Sequence, residues 1–134
     1  MPVTVLVVDD HPLIREAVTD LLDACDDLRV VGQCADGSEV PAAVARLRPD
    51  VVLMDLQMPV DGLTAARAVR ASHPGVRILI LSGGLSAAAV HEARAVGVAG
   101  YRLKDEHPDE LPRHVRTVAA GDTTWAPRVL QLFT

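Results

Sequence analysis

The chain has 134 residues, 49% hydrophobic and 23% charged, which suits one folded domain with a sizeable core. Its formal net charge of −5 argues against a domain that grips nucleic acid by itself. Cys25 and Cys34 lack metal-ligand spacing, so we interpret them as reduced thiols. No signal segment opens the chain and no apolar run approaches the ~20 residues that cross a bilayer, so we expect a soluble cytoplasmic protein without a membrane partner.

Short apolar runs with strand character alternate with amphipathic helical patterns along the chain. The predicted strands cover residues 3–8, 28–34, 51–55, 76–81 and 98–103. The predicted helices cover residues 13–25, 39–47, 62–71, 87–96 and 108–120. Five alternating pairs with short connections predict a doubly wound α/β domain, a flavodoxin-like (βα)5 fold whose parallel five-stranded sheet has the order 2-1-3-4-5.

We assign residues 1–121 to this domain. Residues 122–134 are predicted to be a linker or the start of an extra helix, and they contain Trp125, Pro127 and Phe133. The core of the domain should be aliphatic, because aromatic residues make up only 2% of the chain.

Carboxylates stand at the ends of two predicted strands. Asp9 and Asp10 follow the first strand, and Asp55 ends the third. Strands 1 and 3 are neighbours in the predicted order, so their carboxyl ends meet at one edge of the sheet. Three crowded carboxylates repel one another, and their oxygen ligands suit a hard cation. The pattern therefore predicts a Mg2+ or Mn2+ site rather than a zinc site.

A hydroxyl and an ammonium group follow the next two strands. Ser82 comes after the fourth strand and Lys104, the single lysine of the chain, comes after the fifth. These groups suit phosphoryl transfer, with Asp55 on the middle strand as the nucleophile and Lys104 and Ser82 stabilising the phosphoryl oxygens. Each group alone is commonly a turn former or a solvated side chain, so the prediction depends on their coincidence. None of the five histidines is assigned a catalytic role.

Several stretches carry a resemblance to a known family. They are Val7-Val8-Asp9-Asp10-His11-Pro12, Met54-Asp55-Leu56-Gln57-Met58-Pro59, Ser82 and Gly100-Tyr101-Arg102-Leu103-Lys104-Asp105. Together they resemble the CheY-like receiver domain of two-component response regulators. In detail, these motifs also resemble those of the NarL/FixJ (LuxR-type) transcription factors. The resemblance covers residues 3–120.

The resemblance implies that Asp55 accepts a phosphoryl group from a phosphohistidine of a sensor histidine kinase. It implies that Asp10, Asp55 and the backbone carbonyl of Gln57 bind Mg2+, with Asp9 acting mainly through water. Lys104 would then hold the phosphoryl group.

The resemblance also implies a conformational switch. Ser82 would move toward the phosphoryl group, and Tyr101 would swing inward to fill the space left. Phosphorylation would shift the population between two states of the loop after Ser82, and we expect the Ala-rich helix over residues 87–96 to be the mobile one.

The partner of the switch would be a C-terminal helix-turn-helix domain, released or dimerised for DNA binding. No such domain is present in these 134 residues. We expect a longer natural protein, with a single-domain regulator as the alternative, and a possible homodimer through helices 1 and 5 or the helix 4 side. DNA would be contacted only through the effector domain, and the protein would not be an enzyme in the ordinary sense.

One departure from the family pattern lies beside the predicted metal site. The segment Pro59-Val60-Asp61-Gly62 is one residue shorter than the usual Pro-x-x-Asp-Gly, which is expected to alter metal affinity or phosphate lifetime. A phosphorylation-independent interaction or ligand-controlled module is therefore the alternative function. A Mg2+-dependent phosphohydrolase is disfavoured, because Gln57 stands where that chemistry usually needs a second acid.

Overall fold

A computed structural model of the chain describes residues 1–133 and shows strands and helices in regular alternation. The strands are β1 (Val3–Val8), β2 (Leu28–Cys34), β3 (Val51–Met54), β4 (Arg77–Ser82), β5 (Gly100–Leu103) and β6 (Thr124–Trp125). The helices are α1 (Pro12–Asp23), α2 (Val40–Leu47), α3 (Gly62–Ser72), α4 (Ala87–Val96), α5 (Leu111–Ala119) and α6 (Pro127–Leu130). Single 3-10 turns precede α2 and α5, at Gly37–Glu39 and Pro108–Glu110.

All six strands form one parallel sheet in the order β2-β1-β3-β4-β5-β6. The first five follow the predicted order, so the predicted fold class is confirmed. Val8 of β1 and Met54 of β3 are partners across the sheet. The residues that follow them, Asp9 and Asp55, therefore leave the sheet side by side.

Local sequence signals account for the helix boundaries. Pro12 occupies the first turn of α1, where its missing N–H costs no hydrogen bond. Asp61 begins α3 by accepting a hydrogen bond from the Thr64 N–H at 2.8 Å. Helix α4 covers the predicted range, because Ser86 caps its start and Gly97, with φ of 92°, ends it in the left-handed region.

The core has two halves, one on each face of the sheet, because strand side chains alternate between the faces. Val5 and Val7 belong to the half that contains residues of α1 and α5, whereas Leu6 and Val8 belong to the half that contains residues of α2, α3, α4 and α6. The buried hydrophobic residues are almost all aliphatic, as expected. Each helix buries one stripe only, and within residues 1–133 no helix has the length and apolar character that crossing a bilayer requires.

The tail differs most from the sequence-based prediction. The expected extra helix is present as α6, but β6 was not predicted. Thr124 and Trp125 pair with β5, so β5 is not the edge strand of the sheet. Val129 of α6 is completely buried, and the ring of Phe133 packs edge-on to Trp125 with 5.2 Å between ring centroids. Residues 124–133 therefore pack on the domain.

The two cysteines are free thiols, as expected. Cys34 is buried at the end of β2, and burial raises the pKa of its thiol to about 11. Cys25 is partly exposed. A thiol with so high a pKa is a structural group and a poor nucleophile.

Candidate functional site

Three carboxylates meet where β1 and β3 end. Asp9 and Asp10 follow β1, Asp55 follows β3, and one oxygen from each lies within 4.8 Å of the others. Asp9 and Asp55 are buried, whereas Asp10 is exposed. The three predicted acids are thus brought together, and their all-oxygen donor set is the kind that Mg2+ and Mn2+ prefer. The group of potential metal ligands found within residues 1–133 contains no histidine.

Both carboxylate oxygens of Asp9 are already engaged. The backbone N–H of His11 donates to Oδ1 at 2.8 Å, and Lys104 Nζ donates to Oδ2 at 2.7 Å. The guanidinium of Arg15, one turn into α1, donates to the backbone carbonyl of Asp9 at 2.8 Å. The sequence patterns did not single out Arg15, because its partner is a backbone group. These bonds fix the orientation of the Asp9 carboxylate and engage each of its two oxygens once.

Asp55 is held at its backbone, whereas its two carboxylate oxygens differ in their surroundings. Its N–H donates to the carbonyl of Val8 at 2.9 Å, which continues the β1–β3 pairing. Within the described chain its Oδ1 is buried and has no hydrogen-bond partner. Burial raises the pKa of Asp55, Lys104 opposes the rise, and the nearby charge of Asp9 adds to it. A buried oxygen without a partner is costly, so these residues fit a cation at this position.

Lys104 connects the two buried acids. Its Nζ lies 2.7 Å from Asp9 Oδ2 and 3.5 Å from Asp55 Oδ2. Its backbone N–H donates to the carbonyl of Ser82 at 2.8 Å, so the end of the β4–β5 ladder sets where the side chain starts. The single lysine therefore lies where the sequence analysis predicted, with its ammonium between the carboxylates.

The predicted switch residues, Ser82 and Tyr101, are both hydrogen-bonded to Gly84. Ser82 is 2% exposed, and its Oγ accepts a hydrogen bond from the Gly84 N–H at 3.1 Å. Tyr101 is fully buried and its hydroxyl donates to the carbonyl of Gly84 at 3.2 Å. Burial also raises the pKa of Tyr101. The inward position that was expected only after phosphorylation is thus already occupied in this structure.

The short loop after Asp55, residues 56–61, is hydrogen-bonded to the β2–α2 corner, residues 35–39. The Val60 N–H donates to Asp36 Oδ1 at 3.0 Å, and the Gly37 N–H donates to the Val60 carbonyl at 3.1 Å. Gln57, the predicted carbonyl ligand, is exposed on this loop. The sequence Asp36-Gly37-Ser38 predicts a turn with a helix cap, but nothing local indicates a bond between Asp36 and a residue 24 positions away.

Comparison with known families supports the resemblance to receiver domains over most of the chain. The family described as response regulator receiver domain matches residues 5–116. Response regulator GacA of Pseudomonas viridiflava is 37% identical over 130 residues, 96% of this chain and 61% of the relative. The uncharacterized transcriptional regulatory protein YxjL of Bacillus subtilis is 36% identical over 121 residues, 90% of this chain and 56% of the relative. The chain thus spans less than two thirds of the length of these relatives.

Solved structures match the fold and include the tail. A LuxR-family two-component response regulator from Aurantimonas sp. SI85-9A1 has a TM-score of 0.92 at 31% identity, covering 98% of this chain and 94% of that one. The signal receiver domain of the response regulator NarL from Mycobacterium tuberculosis has a TM-score of 0.85 at 38% identity, covering 90% and 98%. The match to nearly the whole chain means that the tail follows the backbone path of a related protein.

Proposed function

The chain belongs to the response regulator receiver domain family, and on that premise we propose that it accepts a phosphoryl group on Asp55 from a sensor histidine kinase. The observation that carries the proposal is the buried Oδ1 of Asp55, which has no hydrogen-bond partner among residues 1–133. Lys104 supports it, since its ammonium lies 3.5 Å from the other oxygen of the same carboxylate. A nucleophile and a cationic group for the phosphoryl oxygens are then in place together.

A divalent cation belongs to this proposal. Asp10, Asp55 and the backbone carbonyl of Gln57 would hold Mg2+ or Mn2+, with Asp9 contributing through water. The fit is supported by the crowded oxygens, which lie within 4.8 Å of one another, and by the unpartnered oxygen of Asp55. When bound, the ion neutralises negative charge on the phosphoryl oxygens and so lets an anionic carboxylate approach them.

The transfer itself is a substitution at phosphorus. One carboxylate oxygen of Asp55 attacks the phosphorus of the phosphohistidine, a P–O bond forms and the P–N bond breaks. The imidazole leaves with the bonding electron pair and takes up a proton. The attacking carboxylate must be deprotonated, and Lys104 helps to keep it so against the effect of burial on its pKa. Lys104 then moves from Asp9, 2.7 Å away, to the new phosphoryl oxygens.

The output of this reaction is a shift between two conformations of the β4–α4 loop. Ser82 gains a phosphoryl oxygen as hydrogen-bond acceptor, and its present bond with Gly84 must then be remade. Tyr101 is already buried inward, and because its hydroxyl is bonded to the Gly84 carbonyl it must exchange this acceptor when the loop moves. We further propose that this shift controls a C-terminal helix-turn-helix domain, through which alone a dimeric full-length protein contacts DNA. The protein would be a cytoplasmic signalling switch rather than an enzyme in the ordinary sense.

The test is intact-protein mass spectrometry after incubation with acetyl phosphate and Mg2+. The wild type should gain one phosphoryl group, whereas Asp55→Asn and a wild-type sample in excess EDTA should gain none. Circular dichroism of each sample shows that the domain is folded. A folded wild type that gains no phosphoryl group would sink the proposal.

A phosphorylation-independent module is the second candidate. It is favoured by Tyr101, which is fully buried in its inward position without any phosphoryl group. A receiver that is held permanently in one state would act by presenting a fixed surface. The two candidates differ in the same mass measurement, since only the first requires a phosphoryl group on Asp55.

A further inference from the structure

The β2–α2 corner and the loop after β3 donate backbone hydrogen bonds to each other in both directions. The carboxylate of Asp36 accepts hydrogen bonds from the backbone N–H of Ser38 at 3.0 Å and from its hydroxyl at 2.6 Å. Its other oxygen accepts from the Val60 N–H at 3.0 Å, and the Gly37 N–H returns a bond to the Val60 carbonyl at 3.1 Å. These bonds lower the pKa of Asp36, with the Ser38 hydroxyl making the largest contribution. The residue is therefore an ionised acceptor for two segments at neutral pH.

Steric fit makes this contact specific. A Cβ on Gly37 would lie 2.3 Å from the Val60 carbonyl oxygen and 2.9 Å from that of Asp61, both of them backbone atoms. On the other side of the loop, a Cβ on Gly62 would lie 2.2 Å from the carbonyl oxygen of Asp55. Because neither glycine has a Cβ, the loop can pass close to both the backbone of Gly37 and the carbonyl of Asp55.

Other contacts restrain the two ends of the loop: Met58 packs partly buried against the core with its N–H bonded to the Leu56 carbonyl at 3.2 Å, and Asp61 caps α3 through the Thr64 N–H. Pro59, Val60 and Asp61 are all exposed, so no buried apolar side chain anchors their backbone. The Gly62 N–H bonds to the Leu56 carbonyl at 3.2 Å, which fixes only the far end of the loop. The bonds to Asp36 and Gly37 are thus the main restraint on its middle.

We propose that Asp36, with Gly37, is a positioning residue for the cation site: it holds the short loop that carries Gln57 and thereby sets the place of the Gln57 carbonyl beside Asp55. This inference rests on the proposed function, since it concerns the cation which that function requires. Groups that orient metal ligands through one hydrogen bond commonly change metal affinity by about 10- to 100-fold when removed. Because the loop carries one predicted ligand only, we expect an effect of about tenfold.

The experiment measures binding of Mn2+ alone to the unphosphorylated protein by isothermal titration calorimetry, with hydrogen exchange of the loop amides as a second readout. Asp36→Ala removes the acceptor, and Gly37→Ala displaces the loop while keeping the charge. Asp36→Asn removes the charge but keeps an oxygen for the Val60 N–H. Asp23→Ala is the matched control: Asp23 is also exposed and accepts a backbone N–H, that of Val30 at 2.8 Å, but it lies at the opposite end of β2.

The expected result is a loss of Mn2+ affinity of about tenfold in Asp36→Ala and Gly37→Ala, with faster exchange of the Val60 amide. Asp36→Asn and the Asp23→Ala control should stay within about twofold of the wild type. Equal binding by Asp36→Ala and the wild type would overturn the inference and leave the proposed function standing. So would an Asp36→Asn variant as weak as Asp36→Ala, because the effect would then be one of charge. A wild type that binds no Mn2+ would refute the proposed cation site itself.

Discussion

Replacing Asp55 with asparagine should stabilise the domain in the absence of a divalent cation. The wild type buries a carboxylate beside Asp9, and burial raises its pKa above the ordinary value of 3.8. Its Oδ1 has no hydrogen-bond partner among residues 1–133. The variant keeps the shape of the side chain and removes the charge.

The magnitude follows from two opposing contributions. A buried, charged carboxylate with an unpartnered oxygen pays a desolvation cost of about 1–3 kcal/mol or more, and the variant removes the charge although its amide oxygen stays without a partner. The variant also loses the 3.5 Å contact with Lys104, but that contact is long and Lys104 keeps its 2.7 Å bond to Asp9. We therefore expect a net gain of about 1–2 kcal/mol in the free energy of unfolding, which raises the urea midpoint by about 0.5–1 M.

Urea unfolding in EDTA, followed by far-UV circular dichroism, measures this difference, and pH provides an internal control. A carboxyl whose pKa is higher in the folded state than in the unfolded state costs stability at pH values above its folded pKa. That cost disappears as the pH falls through the folded pKa, because the buried group becomes neutral. The gap between the variant and the wild type should be largest near pH 7 and shrink on acidification. In saturating Mg2+ the gap should shrink or reverse, since only the wild type keeps its full ligand set.

Two results would refute this reasoning. One is a variant that is no more stable than the wild type in EDTA at neutral pH, which would mean that the buried carboxylate carries no cost. The other is a gap that stays constant as the pH falls, which would mean that the stabilisation does not come from the charge of Asp55.

Three further predictions, two of them with a matched control substitution, test other parts of the structure. Asp10→Ala should weaken Mg2+ binding in calorimetry by tenfold or more, yet change stability in EDTA by less than about 0.5 kcal/mol, because Asp10 is exposed. Val129→Ala should lower the free energy of unfolding by about 2 kcal/mol, because Val129 is fully buried, whereas Leu130→Ala, at a residue 48% exposed, should change it by less than about 0.5 kcal/mol. Gly62→Ala should cost several kcal/mol or prevent folding, because its Cβ would lie 2.2 Å from a backbone oxygen, whereas Gly75→Ala has open space and should be neutral or slightly stabilising.

Each substitution has an outcome that would contradict it. Unchanged Mg2+ affinity in the first would remove Asp10 from the ligand set. Equal effects of the two tail substitutions would mean that α6 is not packed in solution as it is in the structure. Equal stability of the two glycine variants would mean that the loop after β3 has room to move away from β3.

The sequence alone was enough to predict the position of a site residue when that residue directly follows a strand. Asp9, Asp55 and Lys104 each stand one residue beyond a strand, and parallel strands end at one edge of a sheet, so their meeting could be predicted. The roles of these residues stay predictions, but their proximity does not.

Two features could not be predicted because they lack a local pattern. A strand of two residues, such as β6, shows no periodicity, and only its pairing with β5 defines it. The Asp36–Val60 bond joins two loops whose approach depends on the packing of the whole α2–α3 side. His114 is a different case: it is buried on α5 three residues after Leu111 and one before Val115, so its place on the apolar stripe was a usable signal of burial.

The sixth strand has a consequence for self-association. Without it, β5 would be the terminal strand and would offer its outer N–H and C=O groups to other chains, as exposed strand edges do in aggregation. With it, the outermost strand on this side is only two residues long and is followed, after Ala126, by the proline that begins α6. A strand so short is a poor template for intermolecular pairing. Residues 124–133 thus cover the edge of the sheet. Versions of this protein that end before Thr124 should be more prone to aggregate.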